Sequence, residues 1–296
     1  MREYVAAIGF FDGVHIGHQK LISTVINIAK RNNLRSLIIT FDTVAKIKDN
    51  LIFSFEEKIN ILKSFNIDKI KVLNFKKIKN LSAEEFFKNF ILKNKISVLV
   101  VGEDFKFGYD ASSDVFDLKK LAEKYYITLF VISDVFKEIK GKKFSVSSSL
   151  IRQNIIKNNF KEVEIFLGRE YWIFGKVFRG KGLGRKIGIP TINFVPKKNV
   201  LLPKGVFVGL TKIKNFLYPS VANFGYNPTV NFKNKKFFCE VHIIDKKIDF
   251  FVKEIYFRPL AKIREEKKFS TIQHMRKRIL KDIEYTKNFF YKKFYS

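Results

Sequence analysis

The first half of the chain alternates short apolar runs with longer amphipathic segments. The apolar runs are rich in β-branched residues, which is typical of strands buried on both faces of a parallel sheet. They predict strands at residues 5–10, 36–41, 69–75, 97–101 and 127–132. Apolar residues at helical spacing predict helices at 18–31, 55–64, 83–92 and 115–125. This alternation predicts a doubly wound α/β domain with its ligand crevice at the carboxyl ends of the strands.

Two of these helices begin with a capping signal. Ser54 is followed three residues later by Glu57, and Ser82 is followed by Glu85. In such a capping box, each of the two side chains accepts a hydrogen bond from a backbone N–H that would otherwise lack a partner. The two pairs therefore predict where the second and third helices start.

The pattern changes after residue 168. A helical stretch is predicted at 149–167, and beyond it short runs between turn residues predict strands at 171–178, 205–213, 217–224, 237–244 and 253–257. Such a series is typical of a small β-barrel. A last amphipathic segment predicts a helix at 271–291 that packs on the barrel. We therefore expect two domains, residues 1–168 and 169–296.

Composition narrows the class of protein. No stretch approaches the roughly 18 uncharged apolar residues of a membrane span, and no export signal is visible, so we expect a cytoplasmic protein without a membrane partner. The single Cys239 cannot form an intrachain disulfide. The net charge of +29 is spread along the whole chain rather than clustered, so we expect no nucleic-acid partner. It favours small polyanionic substrates such as ATP.

The most informative stretch is GFFDGVHIGH at residues 9–18, where the first strand gives way to the first helix. Its glycines let the backbone approach a phosphate, and the helix N-terminus offers free N–H groups. His15 and His18 are three residues apart, so both can face one bound triphosphate and donate hydrogen bonds to charge that develops during transfer.

A second phosphate-binding candidate is the loop RGKGLGR at residues 179–185. Its glycines and basic side chains can wrap phosphates, although the spacing is not that of a dinucleotide fingerprint. Alternation along the strand at 237–244 puts Glu240, His242 and Ile244 on one face. A carboxylate there can act as general base toward a hydroxyl nucleophile, whereas we expect His242 to support the sheet.

These motifs resemble those of one enzyme family in the family's order. Residues 9–18 resemble the HxGH motif of nucleotidylyltransferases, in the form found in bacterial bifunctional riboflavin kinase/FAD synthetases. Residues 101–108 resemble the family's flavin and nucleotide loop, and residues 146–152 resemble its Ser-Ser-Thr-x-Ile-Arg motif. In the second half, the resemblance rests on residues 188–193, 221–229, 240–245 and 257–269.

The resemblance implies a Rossmann-like nucleotidylyltransferase domain, followed by a six-stranded β-barrel riboflavin kinase domain with a C-terminal helix. It implies phosphorylation of riboflavin to FMN and adenylyl transfer from ATP to FMN, giving FAD and pyrophosphate. Riboflavin, FMN, FAD and ATP are then the binding partners, with Mg²⁺ as cofactor.

The resemblance also implies roles for individual residues. His15 and His18 would be catalytic in adenylyl transfer, and Glu240 would be the general base of the kinase. The adenylyltransferase site would bind ATP through Gly9, Phe10, Asp12, Gly13, Gly17, Ser147, Ser148 and Arg152. Its flavin and nucleotide loop would contribute Asp104, Phe105 and Phe107. The kinase site would bind ATP and Mg²⁺ through Gly180, Lys181, Gly182, Gly184, Arg185, Thr191 and Asn193, with Thr191 and Asn193 as the metal ligands. It would bind the flavin through Arg264 and Phe269.

Two segments depart from the family pattern. Residues 40–45 read TFDTVA where the family has Thr-Phe-x-Pro-His-Pro, and residues 109–113 read YDASS in place of a basic, glycine-rich segment. An alternative is therefore a riboflavin kinase with a degenerate N-terminal domain. Two further hypotheses are a protein that binds nucleic acid through its positive charge and a nucleotidylyltransferase for another mononucleotide.

Overall fold

The computed structural model describes residues 3–42, 50–180, 182–226, 237–246 and 252–295. The chain divides into two compact units, Met1–Leu150 and Ile151–Ser296. Within the described residues, no helix is both long and apolar enough to cross a bilayer.

The first unit contains a five-stranded parallel sheet in the order β3-β2-β1-β4-β5. Its strands are β1 (Tyr4–Ile8), β2 (Arg35–Phe41), β3 (Lys69–Leu73), β4 (Ile96–Gly102) and β5 (Thr128–Ile132). Its helices are α1 (Ile16–Arg31), α2 (Phe55–Lys63), α3 (Phe75–Ile78), α4 (Ala83–Phe87, continued by a π-turn over Lys88–Leu92) and α5 (Val115–Lys124). A hairpin of β6 (Phe136–Ile139) and β7 (Lys142–Ser145) follows the sheet.

Alternate strand residues face two separate hydrophobic clusters, which explains the continuous apolar runs. Ala6 and Leu99 belong to one cluster, whereas Ala7 and Val100 belong to the other. The sheet is therefore buried on both faces, and the predicted strands and helices are confirmed in kind and in place. Both predicted capping boxes, at Ser54 and Ser82, are also confirmed.

The second unit is built on a closed barrel in the order β10-β11-β12-β9-β8-β13. Its strands are β8 (Ile173–Phe178), β9 (Ile192–Pro196), β10 (Gly205–Ile213), β11 (Phe216–Tyr226), β12 (Phe237–Ile243) and β13 (Glu254–Arg264). Four fully buried phenylalanines fill the barrel, and Phe224 contacts Phe194, Phe207 and Phe257 at ring-centroid distances of 5.9, 5.8 and 5.4 Å. The six-stranded barrel is therefore confirmed.

The helices around the barrel differ from the prediction in one respect. The stretch at 149–167 was expected to be one helical segment, but it forms α6 (Ser148–Ile156) and α7 (Phe160–Leu167). The break falls at Asn158, whose φ of 62° is left-handed and ends a helix. A short α8 (Leu183–Lys186) lies in the glycine-rich loop, and α9 (Ile272–Tyr295) ends the chain.

Candidate active sites

The first candidate site follows from the strand order of the parallel sheet. β1 is central, with β2 on one side and β4 on the other, so the direction of winding reverses between β1 and β4. In open α/β sheets, ligands bind at such a switch point, outside the carboxyl ends of the strands. Residues 9–18 follow β1 and residues 103–108 follow β4, so both predicted motifs lie at this edge.

The turn between β1 and α1 has an uncommon backbone. Phe11 and Val14 have positive φ angles of 55° and 43°, and Gly13 has a φ of 75°. At Gly13, a Cβ atom would approach the Cδ1 atom of Ile52 within 2.8 Å, so a larger residue would have to displace the Ile52 side chain and would be strained by the positive φ. The turn ends at His15, the residue that precedes the first turn of α1.

His15 and His18 are adjacent in space. Their imidazole rings are stacked with centroids 3.7 Å apart, and the edge of Phe11 packs against His18. His15 is buried and His18 is partly buried. Gly17 lies beside them, because a Cβ atom there would be 3.2 Å from the His15 ring. The two histidines therefore lie together, while their contact with a triphosphate stays a prediction.

Asp12 and the serines of residues 147 and 148 connect this turn to α6. The Asp12 carboxylate is buried and accepts a hydrogen bond from the Ile52 backbone N–H at 3.1 Å. Ser148 donates to the Asp12 carbonyl at 3.0 Å, and Ser147 accepts from the Leu150 N–H at 3.2 Å. Arg152 lies one turn further along α6.

The loop after β4 presents aromatic and acidic side chains. The rings of Phe105 and Phe107 are stacked with centroids 5.7 Å apart. Phe107 is buried against Phe86, so it supports the loop, whereas Asp104 is exposed and Phe105 is partly buried. Asp104 and Phe105 are the members of the predicted set that can contact a ligand.

The second candidate site is a row of side chains on the outside of the barrel. The strand register aligns Asn193 of β9 with Glu240 of β12, and Glu240 with Asn223 of β11. Directly opposed residues in adjacent strands share one face. The row continues through Val206 of β10 to Arg264 of β13. It therefore brings together three residues predicted from separate motifs.

The glycine-rich loop packs directly on this row. A Cβ atom at Gly180 would lie 2.5 Å from the Asn193 Nδ2 atom, and one at Gly184 would lie 3.1 Å from the Thr191 Oγ1 atom. The missing side chains therefore let the loop backbone approach both polar side chains. Gly182 is left-handed, with a φ of 72°, and begins α8, in which Arg185 is exposed. Lys181 lies outside the described residues.

Electrostatics distinguish Glu240 from an ordinary surface carboxylate. Burial raises the pKa of Glu240, and the negative charge of Glu266 raises it further. Glu266 lies against the Gly225 backbone, where a Cβ atom would overlap its carboxylate. The neighbouring His242 donates from Nδ1 to the Pro190 carbonyl at 2.8 Å, which ties β12 to the segment that carries Thr191. His242 therefore supports the sheet, as expected.

The predicted flavin residues border a cleft. Arg264 binds both carboxylate oxygens of the buried Asp282 on α9, and its guanidinium lies 5.8 Å from the Phe269 ring centroid. Both residues line a cleft of about 610 Å³. A second cleft of about 590 Å³ is lined by residues 266–272, Leu183 and Met275. The second cleft therefore places α8 of the glycine-rich loop beside the segment that contains Phe269.

Asn223 is a polar residue of the row that received no role from the sequence. The Asn223 Oδ1 atom is buried and has no hydrogen-bond partner within the part of the chain that the structure describes. It lies directly opposite Glu240 in the register. In the sequence, Asn223 falls within the motif at residues 221–229, but that motif does not reveal which residue lies opposite Asn223 in the sheet.

Comparisons with known proteins cover both units. A FAD synthetase family model matches residues 1–150, and a riboflavin kinase model matches residues 167–290. The bifunctional riboflavin kinase/FMN adenylyltransferase of Buchnera aphidicola subsp. Acyrthosiphon pisum is 34% identical over 97% of this chain and 93% of its own length. The Escherichia coli K12 enzyme of the same description is 29% identical over 97% and 92%.

A solved structure has the same fold. A crystal structure described as a macrolide-efflux protein from Streptococcus pneumoniae superposes with a TM-score of 0.82 at 29% identity, covering 97% of this chain and 95% of that one. Both halves of the present chain match enzyme domains, so the bifunctional interpretation is confirmed over a kinase with a degenerate N-terminal domain. The chain belongs to the bifunctional riboflavin kinase/FMN adenylyltransferase family.

Proposed function

We propose that residues 169–296 phosphorylate riboflavin to FMN and that residues 1–168 adenylate FMN to FAD, with ATP as the donor in both reactions. The observation that carries this proposal is that each unit has its own glycine-containing loop next to its own candidate catalytic groups. In the first unit these groups are His15 and His18, and in the second unit the group is Glu240. We assign the protein to the cytoplasm.

In the kinase reaction, Glu240 acts as general base. It takes the proton of the ribityl primary hydroxyl as the oxygen attacks the γ-phosphorus of ATP and ADP leaves. Burial supports this role, because a carboxylate with a raised pKa is a stronger base. The backbone of the loop with Gly180, Gly182 and Gly184 wraps the phosphates, with Lys181 and Arg185 supplying positive charge.

Mg²⁺ fits the same site. Thr191 and Asn193 are two residues apart at the start of β9, so their oxygen atoms can share one face. Magnesium prefers oxygen ligands and is commonly held by few protein groups together with substrate phosphates. When bound, the ion neutralises charge on the phosphates. Arg264 and Phe269 line the cleft of about 610 Å³, which is the one proposed for the flavin ring.

In adenylyl transfer, an FMN phosphate oxygen attacks the α-phosphorus of ATP and pyrophosphate leaves. His15 and His18 donate hydrogen bonds to the charge that develops on the phosphates. Gly9, Gly13 and Gly17 allow close approach to the N-terminus of α1, and Ser147, Ser148 and Arg152 complete the phosphate site. Asp104 and Phe105 contact the nucleotide or flavin, with Phe107 beneath them.

The experiment that tests the function is a time course with the full chain. Purified protein is incubated with riboflavin and Mg-ATP, and the flavins are separated chromatographically. FMN should appear first and FAD second, and FMN supplied directly should give FAD. A reaction that stops at FMN would leave only the kinase, and a reaction that consumes no riboflavin would refute the assignment of the barrel.

A further inference from the structure

A buried lysine lies behind the turn that carries the two histidines. Lys58, in the first half of α2, is only 3% exposed. Its Nζ atom donates to the carbonyl oxygens of Phe10 and Phe41, both at 2.9 Å, and to the Thr40 Oγ1 atom at 3.2 Å. An ammonium group has three N–H donors, so these three contacts use all of them.

The three acceptors lie where β1 and β2 end. Phe10 immediately precedes the strained turn in which Phe11 and Val14 are left-handed. Non-glycine residues in this conformation are strained and persist only when neighbouring groups hold them. Thr40 also donates to the Phe10 carbonyl at 3.1 Å. The Phe10 carbonyl therefore accepts hydrogen bonds from both Lys58 and Thr40.

The local sequence directs Lys58 to this position. The Ser54–Glu57 capping box defines the start of α2 immediately before Lys58. The Lys58 ammonium lies 4.2 Å from the Phe10 ring centroid and 5.4 Å from that of Phe55. Burial lowers the pKa of Lys58 to about 8, while the charges of Asp12 from the turn and Asp42 from the end of β2 oppose this shift.

We propose that Lys58 is a positioning residue for adenylyl transfer, which holds the Phe10 carbonyl and thereby keeps His15 and His18 directed at the triphosphate. This inference rests on the adenylyltransferase function proposed above. It explains why a charged group is kept in an apolar environment, where burial is costly unless the charge is fully hydrogen-bonded. It also gives α2 a part in the reaction, although α2 contributes none of the predicted site residues.

The two activities make the test specific. K58M keeps the length of the side chain but removes all three donors, and FMN formation from riboflavin serves as an internal control in the same protein. We expect the kcat of FAD formation from FMN to fall about a hundredfold, the cost of a displacement of about 1 Å in a catalytic group, with KM for ATP changed much less. FMN formation should be unchanged. K63M, at an exposed position of the same helix, should match the parent in both reactions.

A second variant covers the case in which K58M does not fold. T40V keeps the side-chain shape but removes one acceptor of Lys58 and one donor to Phe10. It should lower the kcat of FAD formation and leave FMN formation intact. If folded K58M or T40V makes FAD at the parent rate, the inference is wrong. If the parent protein itself makes no FAD, the proposed function fails instead, so the two failures are distinguishable.

The pH dependence gives a further measurement. As pH rises through about 8, the Lys58 amine loses its proton and with it one of its three N–H donors. FAD formation by the parent should therefore decline above that pH, while FMN formation should not share this decline. K58R stays protonated throughout and should remove the decline. A decline that persists in folded K58R would overturn the role of the Lys58 proton.

Discussion

The imidazole rings of His15 and His18 are stacked, with centroids 3.7 Å apart and planes inclined by 22°. The stack forms because His15 precedes the first turn of α1 and His18 lies within that turn. Side chains three residues apart lie on the same side of a helix. Both rings therefore lie at the N-terminal end of α1, and helix N-termini favour phosphate binding.

The first prediction concerns this pair. His15→Ala and His18→Ala should each slow FAD formation from FMN about a hundred- to a thousandfold, because each removes a donor to the transferring phosphate. FMN formation should continue at the parent rate. Asn27→Ala, at an exposed position of α1, should change neither rate. Equal FAD synthesis by the double variant and the parent would remove the histidines from the mechanism.

The second prediction concerns Glu240. Glu240→Gln keeps the shape of the side chain but not its basicity, so riboflavin phosphorylation should slow by roughly a hundred- to ten-thousandfold. Binding of riboflavin and ATP, measured by calorimetry, should persist, and added FMN should still be adenylated. Glu254→Gln at an exposed position of β13 is the matched control. If flavin binding and rate are lost together, Glu240 positions the substrate and another group is the base.

The third prediction is a shift in a pH profile. Burial and the charge of Glu266 raise the pKa of Glu240, so the base form of Glu240 is lost at a higher pH than that of an exposed glutamate. Glu266→Gln removes the nearby charge and should lower this pKa. The acidic limb of kcat/KM for riboflavin should then move to lower pH, whereas Glu265→Gln should leave it in place. If the acidic limb does not move in Glu266→Gln, a group other than Glu240 is responsible for it.

The fourth prediction tests the close approach of the glycine-rich loop. A Cβ atom at Gly180 would lie 2.5 Å from the Asn193 Nδ2 atom, so Gly180→Ala must displace either the loop or the Asn193 side chain. We expect kcat/KM for ATP in FMN formation to fall about a hundredfold, while FAD formation from FMN is retained. Gly141→Ala is the control, because a Cβ atom at Gly141 would meet open space, so its positive φ of 74° strains only the local backbone. Normal kinase activity of Gly180→Ala would show that this contact is dispensable.

The fifth prediction concerns stability. Asp282 is buried and pairs with the partly buried Arg264, so Asp282→Ala leaves this guanidinium without its carboxylate partner. Breaking such a pair costs about 3–5 kcal/mol, and the thermal transition that abolishes FMN formation should move to lower temperature. Lys287→Ala breaks the exposed pair with Asp245 and should cost at most about 1 kcal/mol. If the transition temperature falls equally in the two variants, burial of the Asp282 pair does not make it more stabilising than the exposed pair.

The sequence by itself determined the five sheet strands and the four longer helices of the first unit, but not α3 or the β6–β7 hairpin. Its β-branched runs can be satisfied only when both faces of a strand are buried, and its capping boxes act within three residues. Both signals are local, so the predicted strands and the starts at Ser54 and Ser82 agree with the structure. The HxGH segment could likewise be located, because a strand, a turn and a helix follow one another directly in the chain.

Local sequence signals did not predict two features of the barrel correctly. β9 was not predicted, and β13 was expected to end at residue 257 but continues to Arg264 through Pro259. Proline interrupts a strand pattern because it has no N–H to donate. Here a register shift between Val208 and Gly209 in the partner strand accompanies Pro259. β9 and the second half of β13 therefore depend on pairing within the closed barrel rather than on local sequence signals.

Only the tertiary structure brought the chemistry together. Strand periodicity showed that Glu240 and His242 share a face, but it could not show that Asn193 and Asn223 flank Glu240, because the order and register of strands depend on long-range pairing. Lys58 was missed for the same reason. A lysine on an amphipathic helix is ordinarily exposed, and its burial here follows from acceptors on two other elements, the carbonyls of Phe10 and Phe41. Local sequence sets the conformation of each segment, whereas the contacts between segments far apart in the chain form only when the core packs.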